Sequence, residues 1–136
     1  KFNQSYKSDP NVHYFSYSTF STKKTNSSNK HFPDWAMNPD LWLAGTLLGT
    51  MYAPDSTWYE NDGIVNTVSM GYPKRDDGTH EPVCEFYETS VPGCWQQMGR
   101  LHIDHHQVIG HGFFNEEVQF LKDLFSSHCQ ILKEIN

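Results

Sequence analysis

Two short stretches of the sequence carry the residue types that acid–base chemistry needs. The first, WYENDGIVNT, holds Asp62 directly before a glycine, and the second, DHHQVIG, holds His105. An aspartate can hold one ring nitrogen of a histidine, so that the other nitrogen can take a proton from a nucleophile. We therefore predict that Asp62 and His105 form an acid–base pair, with a turn residue or a metal ligand as the alternatives for Asp62.

The second stretch is also crowded with potential zinc ligands. They are His102, Asp104, His105, His106 and His111. In an extended segment His105 and His106 point to opposite sides, and no helix is predicted here that would place two histidines one turn apart on one face. The spacing therefore disfavours a metal site, and surface histidines without a role remain an alternative for the cluster.

The residue types next to the predicted pair indicate local structural roles. Asp104 directly precedes His105, and adjacent side chains diverge, so a backbone or turn hydrogen bond is expected for it. Glu60 and Asn61 are expected to shape the turn that aims Asp62. His106 is expected at the surface, as is His111.

The elements that must position these residues are few. Aromatic and β-branched residues predict strands at 12–19 and 63–70, and a third extended piece begins at Trp95. Residues 20–34 and 71–94 are predicted to be surface loops. A short helix is expected from Asp40, which could cap it.

The last part of the chain has helical periodicity. A long helix is predicted from Asn115, which is its predicted cap, and its apolar residues recur at spacings of three, four and seven. They are Val118, Leu121, Leu124, Phe125, Leu132 and Ile135. Strands followed by a helix predict an α/β fold, but these elements cannot cover both faces of a parallel sheet. The chain is therefore predicted to be part of a domain.

Composition narrows the class of protein. The 136 residues suffice for one domain at most, and 37% apolar residues exclude a disordered chain. A formal charge of −6 argues against nucleic acid and against an anionic membrane surface as partners. No apolar run is long enough to span a bilayer. Because the chain opens on Lys1 among polar residues, it is expected to be a processed piece.

Cysteines and glycosylation triplets favour an extracellular setting. Cys84 and Cys94 bracket a polar loop, and a disulfide there would contribute roughly 2–3 kcal/mol. Cys129 is then an interchain or a free thiol. Asn3 and Asn26 begin acceptor triplets. The alternative is three buried thiols and two accidental triplets.

Several motifs together resemble a known family. ENDGIVNTVSM, W-x-x-M-G and DH-x-x-VIG resemble the C-terminal third of the bacterial secreted lipases of the Geobacillus and Staphylococcus group. HYFSYST, MN and LGTMY resemble the same family in the same order. The resemblance covers nearly the whole chain. It implies that residues 1–136 are the C-terminal portion of one α/β-hydrolase domain, with the last strands of a mostly parallel sheet and a C-terminal amphipathic helix.

The resemblance also assigns roles within the site. In that family the aspartate of NDG orients the histidine of DH-x-x-VIG, which here implies Asp62 and His105 as catalytic residues. The family's serine lies on an upstream nucleophile elbow, and the elbow signature G-x-S-x-G does not occur in these 136 residues.

A calcium site of the family is expected to be lost or much weakened. The family binds calcium near the catalytic histidine through acidic residues in the following loop. The matching positions are Gln107 and Gly112, and neither supplies the carboxylate that calcium prefers. No cofactor is therefore predicted.

These inferences predict a secreted subunit or fragment of a lipid carboxylic-ester hydrolase, either a lipase or a phospholipase A1-like enzyme. Asp62 and His105 would belong to a Ser–Asp–His triad whose serine lies on a second subunit or on an upstream segment. The alternative is a non-catalytic lipase-derived protein with a binding, toxin-accessory or structural role.

Overall fold

A parallel three-stranded sheet forms the centre of the structure, which is a computed structural model. The described residues are Ser5, 7–51, 54–111 and 115–135, without the side chains of 115–117. The strands of the sheet are β1 (Tyr14–Thr19), β4 (Val83–Glu85) and β5 (Trp95–Leu101). Their order is β1-β5-β4. Parallel strands with helices confirm the predicted α/β class.

The register of β1 and β5 brings the carboxyl ends of both strands to one edge of the sheet. Tyr14 pairs with Trp95, and Thr19 pairs with Leu101, with one irregularity between Ser16 and Tyr17. The rings of Tyr14 and Trp95 stack with their centroids 4.9 Å apart. Both strands were expected from their composition, and both are confirmed. Because they are parallel, the residues that follow Thr19 and Leu101 emerge side by side.

The remaining strands lie where the sequence predicted loops. β2 (Thr22–Lys24) and β3 (His31–Pro33) form an antiparallel hairpin within residues 20–34. β4 lies within residues 71–94 and extends the sheet beyond β5. Each of these strands has three residues, and three residues are too few to show an alternation of buried and exposed side chains.

The predicted strand over residues 63–70 is wrong. The segment forms bends and a 3-10 turn, Thr67–Ser69. The carboxylate of Asp62 accepts hydrogen bonds from the backbone N–H groups of Ile64 and Val65, which closes a turn at the point where a strand would begin. Gly63 has a φ of 100°, which suits this turn. The β-branched residues therefore follow a turn instead of pairing in a sheet.

The first helix starts later than predicted and has another cap. A 3-10 turn, Pro39–Leu41, leads into α1 (Trp42–Thr50). The side chain of Asn38 accepts a hydrogen bond from the backbone N–H of Asp40. Asn38 is therefore the cap, and the prediction for Asp40 was wrong. Asp40 lies inside the first turn of this helical segment.

Two further helices complete the described fold. A single-turn helix α2 (His105–Val108) follows β5, and the long helix α3 (Asn115–Glu134) confirms the predicted periodic segment. The proposed cap contact of Asn115 lies outside the described side chains. Leu121 is buried, whereas Phe125 and Leu132 of the predicted stripe are exposed. In the described part of the chain, no helix is long and apolar enough to cross a membrane.

The predicted disulfide joins Cys84 to Cys94. Cys129 is free and exposed on α3, so the alternative of a buried thiol is wrong for it. Asn26 is exposed in the turn between β2 and β3. Asn3 lies outside the described residues. Glycosylation at both sites stays a prediction.

Candidate active site

Asp62 and His105 lie together at the carboxyl-terminal edge of the sheet. The Nδ1 atom of His105 is 3.0 Å from Oδ2 of Asp62, and the backbone N–H of His105 donates to the carbonyl oxygen of Asp62 at 3.0 Å. His105 opens α2, directly after the connection from β5. Two loops that meet at this edge thus bring the two predicted residues into contact.

Backbone and side-chain donors surround the carboxylate of Asp62. The side chain is only 1% exposed. Besides His105, Oδ2 accepts from the hydroxyl of Thr19 at 2.9 Å. The other oxygen, Oδ1, accepts from Ile64 N at 3.1 Å and from Val65 N at 2.8 Å. These bonds stabilise a buried carboxylate and fix the direction in which it faces His105.

The contact to Asp62 decides which nitrogen of His105 can act as a base. An ionised carboxylate only accepts hydrogen bonds, so Nδ1 carries the proton and Nε2 keeps its lone pair. The side chain of His105 is 37% exposed, whereas that of Asp62 is buried. The imidazole can therefore receive a proton at Nε2 from a group that approaches from outside the described residues.

Asn61 shapes the turn that holds Asp62. Its side chain is completely buried. The side-chain oxygen accepts from Gly63 N at 2.9 Å, and the amide nitrogen donates to the carbonyl oxygens of Gly45 and Tyr59. The predicted role of Asn61 is confirmed. Glu60 has a different contact, since its carboxylate pairs with Arg100.

Asp104 is the cap of the helix that carries His105. Its Oδ1 accepts from Gln107 N at 2.8 Å, and its own N–H donates to the side-chain oxygen of Gln107 at 2.7 Å. Oδ2 accepts from the backbone N–H of Asn38. Asp104 makes turn hydrogen bonds, as predicted, and it fixes the first residue of α2.

The other histidines of the second stretch do not converge on one point. His102 Nε2 is 2.7 Å from Asp34 Oδ2, and His106 Nδ1 is 3.4 Å from the side-chain nitrogen of Asn38. His111 is exposed. Among the described residues, no three side chains of His, Cys, Asp or Glu are grouped so as to hold a metal ion.

The position of Gln107 does not suit a calcium ion. Its side-chain oxygen already accepts from the backbone of Asp104, and the Asp104 carboxylate oxygens are engaged by Gln107 N and Asn38 N. Gly112 lies outside the described residues. A hard cation needs several oxygen ligands, and these oxygens point into the helix cap instead.

An apolar cavity of about 340 Å³ opens beside the pair, between β1 and α3. Phe15 and Tyr17 line it from the sheet, and Leu121 and Phe125 line it from the helix. Tyr17 reaches His128 of α3, with its hydroxyl 3.3 Å from Nδ1. Burial raises the pKa of Tyr17, so its hydroxyl stays neutral at physiological pH. The pair therefore borders an apolar space as well as solvent.

Comparison with known proteins finds similarity to a segment of several enzymes. No protein-family model matches the chain. A lipase of Staphylococcus hyicus is 32% identical over 111 residues, which are 81% of this chain and 16% of that protein. A lipase of Staphylococcus epidermidis is 30% identical over 103 residues, which are 75% of this chain and 14% of that protein. The chain thus spans about a sixth of the curated relatives that it matches.

Solved structures give the same result. The crystal structure of Staphylococcus hyicus lipase matches with a TM-score of 0.83 at 27% identity, over 98% of this chain and 34% of that one. EstA from Clostridium botulinum matches with a TM-score of 0.71 at 28% identity, over 85% of this chain and 28% of that one.

Proposed function

Because the chain is homologous to the Staphylococcus lipases, we propose that it supplies the acid and the base of a serine-dependent lipid carboxylic-ester hydrolase. Asp62 and His105 are the residues in these roles, within the C-terminal portion of an α/β-hydrolase domain. The observation that carries the proposal is the 3.0 Å contact between His105 Nδ1 and the buried Oδ2 of Asp62. The serine belongs to an upstream segment or to a second subunit.

The proposed reaction is an acyl transfer in two steps. The serine hydroxyl attacks the ester carbonyl while Nε2 of His105 takes its proton. The imidazolium then protonates the leaving alcohol, and the ester bond to that alcohol breaks. A water molecule then attacks the acyl-serine while Nε2 of His105 takes its proton. The imidazolium protonates the serine oxygen, and the fatty acid is released. Asp62 holds the Nδ1–H tautomer throughout and stabilises the imidazolium.

The described sheet offers a place for the serine-bearing strand. In the described part of the chain, β1 pairs with a strand on one side only, through β5. A parallel strand on the other side of β1 would end beside Thr19, whose hydroxyl contacts Asp62. A serine that follows such a strand is brought toward Nε2 of His105. Cys129, which is exposed, can join the chain to a second subunit by a disulfide.

We place the protein outside the cell. The disulfide between Cys84 and Cys94 persists only under oxidising conditions. The exposed triplet at Asn26 suits N-glycosylation of a secreted protein.

Reconstitution with the serine-bearing part tests the proposal. A fluorophosphonate probe is expected to label that part and to leave this chain unlabelled. His105→Ala should lower kcat for a lipid ester by about 10⁴-fold or more, since the base is removed. His111→Ala, which removes an exposed histidine, is the matched control and should retain activity. Full hydrolysis by the His105→Ala complex would overturn the proposal.

A further inference from the structure

The short connection between β5 and α2 is held at both ends by one other segment. The connection is residues 102–104, and His105 follows it directly. The other segment, residues 34–38, lies between β3 and the helical turn before α1. We call it the brace segment. Its contacts involve side chains that the candidate mechanism does not use.

The first contact of the brace segment is an aspartate–histidine pair. Asp34 Oδ2 is 2.7 Å from His102 Nε2, and the side chain of Asp34 is 6% exposed. Asp34 is fixed by its own surroundings, because Oδ1 accepts from Ala36 N at 2.9 Å and its N–H donates to Ser21 O at 3.0 Å. A buried carboxylate held in this way presents one oxygen in a defined direction to His102.

Two aromatic rings restrict the imidazole of His102. The ring of Phe20 stacks on it with an interplanar angle of 6° and a centroid separation of 4.8 Å. The ring of Trp35 meets it edge-on at 5.6 Å. The imidazole can therefore rotate little without losing its contact to Asp34, and the backbone at the start of the connection is fixed with it.

The second contact of the brace segment reaches the helix cap. The backbone N–H of Asn38 donates to Asp104 Oδ2 at 2.5 Å, while Oδ1 of the same carboxylate caps α2. Within the segment Asp34 is tied to the residue before Asn38, because Met37 N donates to Asp34 O at 3.2 Å. A displacement at Asp34 is therefore transmitted to the cap that sets the position of His105.

We propose that Asp34 and His102 are positioning residues for His105, and that the brace segment fixes the imidazole against Asp62 without a bound cation. The proposal deepens the proposed function, since it concerns the base of the same site. It follows from two contacts that bracket a three-residue connection, and from the side chain of Gln107, which is committed to the helix cap. Neither residue touches the reacting atoms.

Nuclear magnetic resonance of the reconstituted enzyme, in which only this chain is ¹⁵N-labelled, tests this directly. In the unaltered chain, His105 should show a protonated Nδ1 whose proton exchanges slowly with solvent, and an unprotonated Nε2. His102→Ala should make that proton exchange at least about tenfold faster and shift the ring signals toward a mixture of tautomers. His102→Gln should restore the signals, because the glutamine amide can occupy the place of Nε2 and donate to Asp34.

His111→Ala is the matched control, because it removes an exposed histidine from the same region and should change nothing at His105. Should His102→Ala fail to fold, Asp34→Asn keeps the side-chain volume and should shift His105 in the same direction. If either folded variant loses stability while the ring signals of His105 stay unchanged, the role is merely structural and the proposal is overturned. Calcium chloride alone should leave those signals in place. A calcium-dependent shift would overturn the claim that His105 is fixed without a bound cation.

The test of the brace segment and the test of the proposed function can fail independently. The spectra record the protonation of His105 and do not depend on ester hydrolysis. If the brace is wrong, His102→Ala leaves the His105 signals unchanged while His105→Ala still abolishes hydrolysis in the reconstituted enzyme. If the proposed function is wrong, hydrolysis survives His105→Ala while His102→Ala still disturbs the imidazole.

Discussion

At the scale of single residues, Thr19 links the sheet to the candidate catalytic pair. Its hydroxyl donates to Oδ2 of Asp62 at 2.9 Å, on the same oxygen that faces His105. Thr19 is the last residue of β1 and is buried. Thr19 is paired with Leu101 in the sheet, so this contact fixes the carboxylate relative to the sheet as well as to its own turn.

Replacing this hydroxyl should therefore cost stability. Thr19→Val keeps the shape of the side chain but removes one donor from a buried carboxylate. We expect the free energy of unfolding to fall by about 1.5–3 kcal/mol, measured by urea denaturation. Thr46→Val on the half-buried surface of α1 makes the same chemical change away from any carboxylate and should stay within about 0.5 kcal/mol. Equal losses for both variants would show that the contact to Asp62 contributes nothing.

The sequence indicates Asp62 and His105 but does not indicate Thr19. An acid before a glycine and a histidine in a distinctive motif are visible as chemistry, and the local role of Asp104 follows from its position before His105. A threonine at the end of a strand is ordinary, and its partner lies 43 positions away. The contact depends on which loops meet at the sheet edge, and that is settled only by the tertiary fold.

At the scale of elements, α1 lies against the hairpin through a glycine. A Cβ atom built on Gly49 would lie 2.2 Å from the carbonyl oxygen of His31 in β3. On the same helix, a Cβ on Gly45 would meet the end of the Met37 side chain at 2.7 Å. The first obstacle is backbone and the second is a flexible side chain, so the two glycines should tolerate substitution differently.

These two glycines form a matched pair for an experiment. Gly49→Ala should lower the free energy of unfolding by about 2 kcal/mol, because overpacking against backbone outweighs a helix-propensity gain of about 1 kcal/mol. Gly45→Ala should cost less than about 1 kcal/mol, because Met37 can change rotamer and the same gain applies. Urea denaturation of both variants checks the order. A Gly45→Ala variant that is less stable than Gly49→Ala would contradict the packing described for α1.

The length of an element largely explains whether it could be predicted from the sequence. β1, β5 and α3 have enough residues to show a composition or a period, and each was predicted close to its observed place. The three-residue strands of the hairpin and β4 show neither, because three residues are too few to show an alternation of buried and exposed side chains. Residues 63–70 look like a strand, yet the carboxylate of Asp62 closes a turn there. A side chain that binds its own backbone thus outweighs β propensity.

At the scale of the whole molecule, apolar side chains around α1 are unusually exposed. Trp35 is 85% exposed, Leu43 is 74% exposed and Trp42 is 51% exposed. The sequence of α1, WLAGTLLGT, contains no charged residue. A helix that is apolar on all sides is normally covered by other parts of a protein. If the proposed function holds, we expect the proposed serine-bearing part to cover this face, and the isolated chain to associate through it.

Leu43→Glu should weaken that self-association about tenfold or more, because a carboxylate would have to be buried at each contact. The substitution lies in the first turn of α1, where a negative charge favours the helix, so the fold should be retained. Sedimentation velocity over increasing chain concentration measures the effect. Gln130→Glu adds the same charge on an exposed position of α3 and should associate like the unaltered chain. If both variants associate equally, net charge and not the face of α1 governs self-association, and the uncovered helix has no part in assembly.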